Sequence, residues 1–239
     1  MSALRLRAYA KLNLTLSIHP KSGDFHPIQS LMQTISLHDE LIFDTNETGR
    51  LSLFYEEPYP IPMKENLIWI ALKKLQEQYS IKKGMTVWLK KRIPVGGGLG
   101  GGSSDAAATL IGACRIWELP ADGIDLRTIA LDIGSDVPFC MQGGTAWVEG
   151  RGERVSDLGQ LNTLRFVLLF PGFSVSSREG YAWWDEDPLS QAADDVGALR
   201  SALLSGDMRR MAPHFNNAFL PILCRRFPQY EALVRQIQD

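Results

Sequence analysis

The first third of the chain alternates between apolar and polar positions, which is the pattern of half-buried β-strands. The alternation begins at residue 4 and runs to residue 18, where turn-forming residues interrupt it. Similar patterns recur along the chain. We therefore predict strands in residues 4–18, 28–37, 40–44, 51–55, 85–93, 144–155 and 164–170.

Helical spacing first appears after Asn66, where Leu67, Ile70, Ala71 and Leu75 form an apolar face. A second helix is predicted from about Ser104 to Trp117, a short one over 126–133, and helical patterns dominate from Pro171 onward. Strands thus concentrate at the start of the chain and helices at its end. This segregation indicates an α+β fold rather than regular alternation of strands and helices.

Composition narrows the class of protein. The 239 residues are 45% hydrophobic and 22% charged, which is typical of a soluble globular protein. A net charge of −2 offers no basic field for nucleic acid, and no apolar run approaches the ~20 residues that span a membrane. The three cysteines are scattered without metal-ligand spacing, so they are expected to be free thiols. We expect a cytoplasmic protein, monomeric or weakly dimeric, that binds neither nucleic acid nor membrane.

The most unusual stretch is the glycine run that follows the predicted strand 85–93. Six of the seven residues from Gly96 to Gly102 are glycine, and "SSDAAA" follows at the start of a predicted helix. Glycines let backbone N–H groups approach an anion, and a helix N-terminus adds unpaired donors. A functionless turn needs only one or two glycines, so the pattern favours a phosphate-binding loop. Ser103 and Ser104 either donate to the phosphate or simply cap the helix.

Two common phosphate motifs fit the run poorly. A Walker A loop requires a lysine after its last glycine, and none follows Gly102. Gly96, Gly98 and Gly101 satisfy the dinucleotide pattern G-x-G-x-x-G, but such a match is almost inevitable in a run this rich in glycine. The strand that should follow in a dinucleotide-binding unit is also missing from the sequence pattern.

Three ordered segments together resemble the GHMP kinases, which phosphorylate hydroxyl groups of small molecules. They are "AYAKLNL" at Ala8–Leu14, "PVGGGLGGGSSDAAA" from Pro94, and "GSDVPF" at Gly134–Phe139. The resemblance implies a two-lobe fold with an N-terminal lobe like ribosomal protein S5 and a smaller C-terminal α/β lobe. We expect these lobes to span residues 1–160 and 161–239. The family's third glycine-rich motif is not found before Asp239, so the second lobe is expected to be incomplete and the activity of this chain uncertain.

The resemblance also implies a catalytic pair. Asp136 would be the base that accepts the hydroxyl proton, although the same residue could instead cap the turn before Pro138. Lys11 would lie beside Asp136 and stabilise charge on the transferred phosphoryl group, whereas a lone lysine in such a strand would ordinarily point to solvent. Asn13 would orient the substrate hydroxyl.

The same resemblance assigns the ATP site to the glycine loop and to Asn66, which would approach the adenine or simply cap its helix. Mg²⁺ is expected to bridge phosphate oxygens, and no protein residue is assigned as its ligand. The loop residues expected to contact ATP are Pro94, Gly96, Gly97, Gly98, Leu99, Gly100, Gly101, Gly102, Ser103 and Ser104.

A closer resemblance, to family members that act on a cytidine-diphosphate alcohol, adds Phe25–His26 with Gln29 and the segment Phe170–Tyr181 to the shared motifs. Phe25 and Tyr181 would enclose the cytosine ring, and His26 would hydrogen-bond to its edge. Two alternatives remain open at this point. The protein could be another kinase of the family, acting on homoserine, mevalonate or a sugar, or it could be a truncated remnant that binds ATP without catalysis.

Overall fold

The computed structural model describes residues 3–56, 60–119, 125–159, 164–186 and 196–238. The chain divides into two compact units. The first unit comprises Met1–Leu12, Thr34–Val95 and Leu99–Gly143, and the second comprises Asn13–Gln33, Gly96–Gly98 and Gly144–Asp239. The predicted lobe boundary at residues 160 and 161 lies outside the described residues.

Strands and helices follow the predicted α+β distribution. The strands are β1 (Leu4–Asn13), β2 (Thr15–Ile18), β3 (Ile28–Asn46), β4 (Leu51–Tyr55), β5 (Gly84–Lys90), β6 (Thr145–Gly150), β7 (Arg154–Asp157) and β8 (Asn216–Asn217). The helices are α1 (Leu67–Gln78), α2 (Gly101–Ile116), α3 (Leu126–Ile133), α4 (Val137–Gln142), α5 (Ser177–Glu186), α6 (Val196–Ser205), α7 (Met208–Met211), α8 (Leu220–Arg226) and α9 (Pro228–Gln238).

The first unit packs helices against a mixed sheet. Strand β5 pairs antiparallel with the second half of β3 and parallel with β4, and β1 also pairs with β3. Helices α1 and α2 pack against each other, and α3 and α4 pack against α2. The side chains of Phe43, Leu72 and Leu110 are almost fully buried between these layers, and each contributes about 1.5–3 kcal/mol by leaving water.

Small residues allow α2 to lie close to the sheet. A Cβ atom at Gly112 would come within 3.1 Å of the Leu6 and Phe43 side chains, so these side chains would have to shift to make room for it. Ala106, Ala107 and Ala113 on the same helix are also buried. The run of small residues that follows the glycine loop is therefore a packing requirement as well as part of the motif.

The second unit contains the first half of β3, which pairs antiparallel with β2 and β6, and β6 continues into a hairpin with β7. The short strand β8 runs parallel to β2. Aromatic contacts connect its later elements: the Phe173 ring lies 4.3 Å from that of Phe227, and the Arg226 guanidinium lies 4.6 Å from the Trp183 ring.

Several sequence predictions differ from the structure. Residues 4–18 form two strands, β1 and β2, and residues 144–155 contribute to the two strands β6 and β7. Residues 28–37 and 40–44 form one continuous strand, β3, because the polar His38–Glu40 stretch stays in the ladder while Asp39 is buried. Helix α2 begins at Gly101 rather than near Ser104. Residues 164–170 do not form a strand. No strand of the described chain pairs with them, so their backbone lacks the hydrogen-bond partners that a strand requires, and Val167 is 89% exposed.

None of the helices in the described ranges is long and apolar enough to cross a membrane. The three cysteines are free thiols, as predicted.

Candidate active site

Strand β1 and the start of α4 bring together the two residues proposed as catalytic. The Nζ atom of Lys11 lies 3.1 Å from Oδ2 of Asp136. Lys11 is only 6% exposed, so its side chain points inward rather than to solvent. The Asp136 side chain is 28% exposed, which leaves one part of the carboxylate accessible to a substrate. The pair is thus partly enclosed and still reachable.

The position of Asp136 distinguishes its two interpretations. Asp136 is the residue that precedes α4, and Pro138 lies in the first turn of that helix. Its carboxylate nevertheless makes no hydrogen bond to the N–H groups of the helix, and it contacts Lys11 instead. The side chain therefore does not act as a helix cap.

The glycine loop is attached to the same strand. The backbone N–H of Lys11 donates to the carbonyl of Leu99 at 2.9 Å. Gly100 has a φ of 68°, and a Cβ atom there would lie 2.8 Å from Cγ of Lys11. Glycine is required at this position both by the backbone conformation and by the closely packed lysine.

Helix α2 presents an uncapped N-terminus directly after the loop. Its N-cap residue is Gly100, which has no side chain to accept from the first-turn N–H groups. Ser103 and Ser104 lie inside the first turn, so neither caps the helix. The Ser104 hydroxyl already donates a hydrogen bond to the carbonyl of Tyr9 at 2.7 Å. The Ser103 hydroxyl makes no hydrogen bond to residues in the described ranges, and it is available to an anion.

The tip of the loop belongs to the second unit. Gly96 has a φ of 71°, and its carbonyl accepts a hydrogen bond from the N–H of Val175 at 3.4 Å. A Cβ atom at Gly96 would lie 2.4 Å from Cβ of Ser174. Gly98 also has a positive φ but has open space beside it. Both Gly96 and Gly98 thus adopt a backbone conformation that favours glycine. At Gly96, close packing against Ser174 also requires it.

Asn66 acts as a helix cap in the structure. Its Oδ1 atom accepts from the N–H of Ile68 at 2.9 Å, and its Nδ2 donates to the Tyr55 hydroxyl at 3.3 Å. The side chain is 5% exposed. Of the two roles that the sequence allowed for Asn66, the structure shows the helix cap. The contact with adenine stays a prediction.

Two of the three predicted pyrimidine-site residues contact each other in the second unit. The His26 ring stacks on Tyr181 with centroids 5.8 Å apart and an interplanar angle of 9°. His26 also contacts Asp185 through Nε2 at 2.8 Å and the carbonyl of His19 through Nδ1 at 3.1 Å. Phe25, next in the chain, is 39% exposed. The Asn13 side chain donates to the Ser30 hydroxyl at 2.8 Å.

Sequence reasoning missed Asp185. Its position four residues after Tyr181 on α5 was the available signal, because such residues share one helix face. It also missed the ion pairs of Lys91 with Asp39 and Asp105. The available signal for these ion pairs was Asp105, a charged residue within the run of small residues "SSDAAA".

Comparison with known proteins agrees with these motifs. Residues 66–144 match the model of the GHMP kinases N terminal domain. A protein of Pseudothermotoga lettingae named 4-diphosphocytidyl-2-C-methyl-D-erythritol kinase is 40% identical over 97% of this chain and 83% of its own length. A protein of the same name from Pelotomaculum thermopropionicum is 37% identical over 97% of this chain and 81% of its own.

A solved structure agrees as well. The crystal structure of a 4-(cytidine 5'-diphospho)-2C-methyl-D-erythritol kinase superposes with a TM-score of 0.73 at 30% identity, covering 96% of this chain and 81% of the other. The chain thus spans about four fifths of the length of the relatives it matches. By its motifs, its fold and its similarity to these enzymes, the chain belongs to the GHMP kinase family, among the members named 4-diphosphocytidyl-2-C-methyl-D-erythritol kinase.

Proposed function

We propose that this enzyme transfers the γ-phosphate of ATP to the 2-hydroxyl of 4-diphosphocytidyl-2-C-methyl-D-erythritol, a reaction of isoprenoid precursor biosynthesis. The names of its relatives, which are 37–40% identical over nearly the whole chain, support this substrate. The observation that carries the chemistry is the contact between Lys11 and Asp136, since it places a carboxylate and an ammonium group together beside the glycine loop.

Asp136 is the general base of the proposed reaction. Its carboxylate accepts the proton of the 2-hydroxyl as the hydroxyl oxygen attacks the γ-phosphorus, and the bond from that phosphorus to the bridging oxygen of ADP breaks. The ammonium group of Lys11 orients Asp136 through their contact and offsets negative charge that develops on the phosphoryl group. Asn13 is the candidate to orient the acceptor hydroxyl.

Residues Leu99–Ser104 and the loop tip are proposed to bind the ATP phosphates. The first turn of α2 offers N–H groups that no side chain caps, together with the Ser103 hydroxyl, and both suit a polyphosphate. In the described ranges no group of three or more His, Cys, Asp or Glu side chains could hold a metal ion. We therefore assign Mg²⁺ to the phosphate oxygens and water, where it would neutralise phosphate charge.

The acceptor's cytosine is assigned to Phe25, His26 and Tyr181. Aromatic rings bind a base by stacking, and imidazole nitrogens bind its edge by hydrogen bonds. The proximity of His26 to Tyr181 supports this assignment, because it places the residue assigned to the base edge beside the residue assigned to stacking. We also propose a cytoplasmic enzyme that is a monomer or weak homodimer, which light scattering after size-exclusion chromatography would test.

A substrate panel tests the proposal. The purified chain is incubated with ATP, Mg²⁺ and one acceptor at a time, and ADP release is measured by a coupled assay. The cytidine-diphosphate alcohol should be the preferred acceptor over homoserine, mevalonate and galactose. Preference for any of the other three acceptors would contradict the assigned substrate. If none of the four acceptors led to ADP release, the assigned activity would be contradicted.

A further inference from the structure

Three ionisable side chains form a buried group at the two ends of the glycine loop. We name Lys91, Asp39 and Asp105 the loop cluster. Lys91 Nζ donates to Oδ2 of Asp39 at 2.5 Å and to Oδ2 of Asp105 at 2.9 Å. The Asp39 and Asp105 side chains are 0% and 2% exposed, and that of Lys91 is 16% exposed. The three residues come from β3, from the segment after β5 and from α2, so the cluster joins three separate elements.

The loop cluster holds the backbone where the loop begins. Oδ1 of Asp39 accepts hydrogen bonds from the N–H groups of Arg92 and Ile93, at 2.6 and 2.9 Å. These are the last residues before Pro94. Asp39 lies on β3, which is a long, paired strand. The Asp39 carboxylate therefore fixes the position of the backbone at which the loop begins.

The loop cluster also contacts the backbone where the loop ends. A Cβ atom at Gly101 would lie 3.2 Å from Nζ of Lys91 and 2.9 Å from Cγ2 of Ile93. Asp105 lies one turn further along the same helix and contacts Lys91 directly. Lys91 therefore lies against the first turn of α2 near Gly101 and also contacts Asp105. Because Lys91 contacts Asp39 as well, one side chain connects the two ends of the loop.

The charges of the loop cluster do not balance if every group ionises. Burial raises the pKa of Asp105 to about 8, since Lys91 opposes this rise less than burial and the nearby charge of Asp39 favour it. Burial lowers the pKa of Lys91, but the charges of Asp105 and Asp39 outweigh burial and raise it. One ammonium group cannot neutralise two buried carboxylates, so burial and the charge of Asp39 favour the protonated form of Asp105 more than water does.

Other titratable groups face Asp105. Tyr55 on β4 and Cys140 on α4 both have their pKa raised, chiefly by burial and in part by the charge of Asp105. The Oδ1 atom of Asp105 is buried and has no hydrogen-bond partner in the described part of the chain. Replacing a buried ion pair with apolar residues often stabilises a protein. Asp39 also accepts hydrogen bonds from the backbone N–H groups of Arg92 and Ile93, so this ion pair holds the backbone in addition to pairing two charges.

We propose that Lys91, Asp39 and Asp105 are positioning residues that hold the two ends of the glycine loop in the conformation that binds ATP phosphates. The proposal rests on the proposed function, because it assigns ATP to this loop. A charged Asp105 would place a second negative charge under a loop that binds a polyanion, so nucleotide affinity should decrease when Asp105 loses its proton.

The first test compares Lys91→Met with Lys90→Met. Lys90 is the neighbouring residue, and its Nζ contacts the exposed Glu56 at 3.0 Å, so its replacement removes a lysine without touching the loop cluster. Binding of a non-hydrolysable ATP analogue is measured by calorimetry without acceptor. We expect Lys91→Met to weaken binding by about 10- to 100-fold and Lys90→Met to leave it unchanged. Equal affinity in a folded Lys91→Met protein would overturn the proposal.

The second test uses Asp105→Asn, which keeps the shape of the protonated side chain. It tests the proposal independently if the Lys91→Met protein does not fold. For the wild-type protein we expect analogue affinity to fall by about tenfold between pH 7 and pH 9, because a buried charge then appears near the phosphates. The Asp105→Asn protein should lack this fall. Identical pH profiles would refute the proposal. Because no acceptor is present in either test, failure of the assigned acceptor would not affect these outcomes.

Discussion

At the scale of single residues, the proposed chemistry depends on the direction in which the Asp136 carboxylate points. Asp136 precedes a helix and a proline, a position at which an aspartate commonly caps the helix, yet its carboxylate contacts Lys11. That contact is what distinguishes a base from a cap. A burial pattern alone could not have revealed it, because Lys11 and Asp136 are far apart in the sequence.

Replacing Asp136 should remove most of the activity without unfolding the protein. We expect Asp136→Asn to lower kcat by about 10²–10⁴-fold, because the acceptor hydroxyl loses its base. The control is Asp132→Asn, since Asp132 is an exposed aspartate that contacts Lys74 at 3.4 Å in the same unit. Steady-state kinetics and circular dichroism measure both. Comparable kcat values for the two variants would show that Asp136 is not the base.

Asp105 should make the stability of the protein depend on pH. The folded chain binds a proton on Asp105 up to about pH 8, whereas the unfolded chain releases it near 3.8. The free energy of unfolding should therefore fall as pH rises through this window, by up to about 1.4 kcal/mol per pH unit. Urea unfolding at several pH values should show a shallower dependence for Asp105→Asn than for the wild type. Parallel curves would argue against a protonated Asp105.

Tyr181 should matter for the acceptor and not for ATP. We expect Tyr181→Ala to raise the KM of the acceptor by about 10- to 100-fold, since stacking on an aromatic ring contributes about 1–3 kcal/mol per base. Trp183→Ala is the matched control on the same helix, because Trp183 contacts Arg226 and Phe227 instead. Kinetics with each substrate varied separately would reveal the difference, and equal acceptor KM values would contradict the assigned pyrimidine site.

At the scale of elements, the loop and α2 show what the sequence could and could not predict. The strand, glycine loop and helix were all predicted, because a run this dense in glycine is typical of a phosphate-binding loop between a strand and a helix. The start of the helix was misplaced because serine is a common cap, while here Gly100 in a left-handed conformation takes that position. The strand predicted for residues 164–170 was wrong, since an apolar run does not indicate whether a partner strand is present.

Gly100 should tolerate no side chain. We expect Gly100→Ala to lower stability by about 1–2 kcal/mol from backbone strain alone, and to lower activity because the new Cβ would displace Lys11. Gly144→Ala provides the control, since Gly144 also has a positive φ but nothing lies within 4 Å of its missing Cβ. Thermal unfolding should detect a cost in both variants, with lost activity in Gly100→Ala only. Full activity in Gly100→Ala would refute the proposed role of this contact.

At the scale of the whole molecule, the α+β class was predictable from the order of strands and helices. The family was predictable from three short motifs. The predicted lobes, residues 1–160 and 161–239, stay a prediction, while each compact unit of the structure takes residues from several parts of the chain and β3 contributes to both. Charged clusters such as Lys91, Asp39 and Asp105 escaped prediction, since they join residues that lie far apart in the sequence.

The most direct test of the proposed phosphoryl transfer is ³¹P NMR of the reaction mixture. The purified chain is incubated with ATP, Mg²⁺ and 4-diphosphocytidyl-2-C-methyl-D-erythritol, with the Asp136→Asn protein in parallel. We expect a new phosphomonoester signal that grows as the γ-phosphate signal of ATP declines, and its near absence with Asp136→Asn. Loss of the γ-phosphate to inorganic phosphate alone, or a phosphomonoester formed equally by the variant, would contradict the proposed transfer.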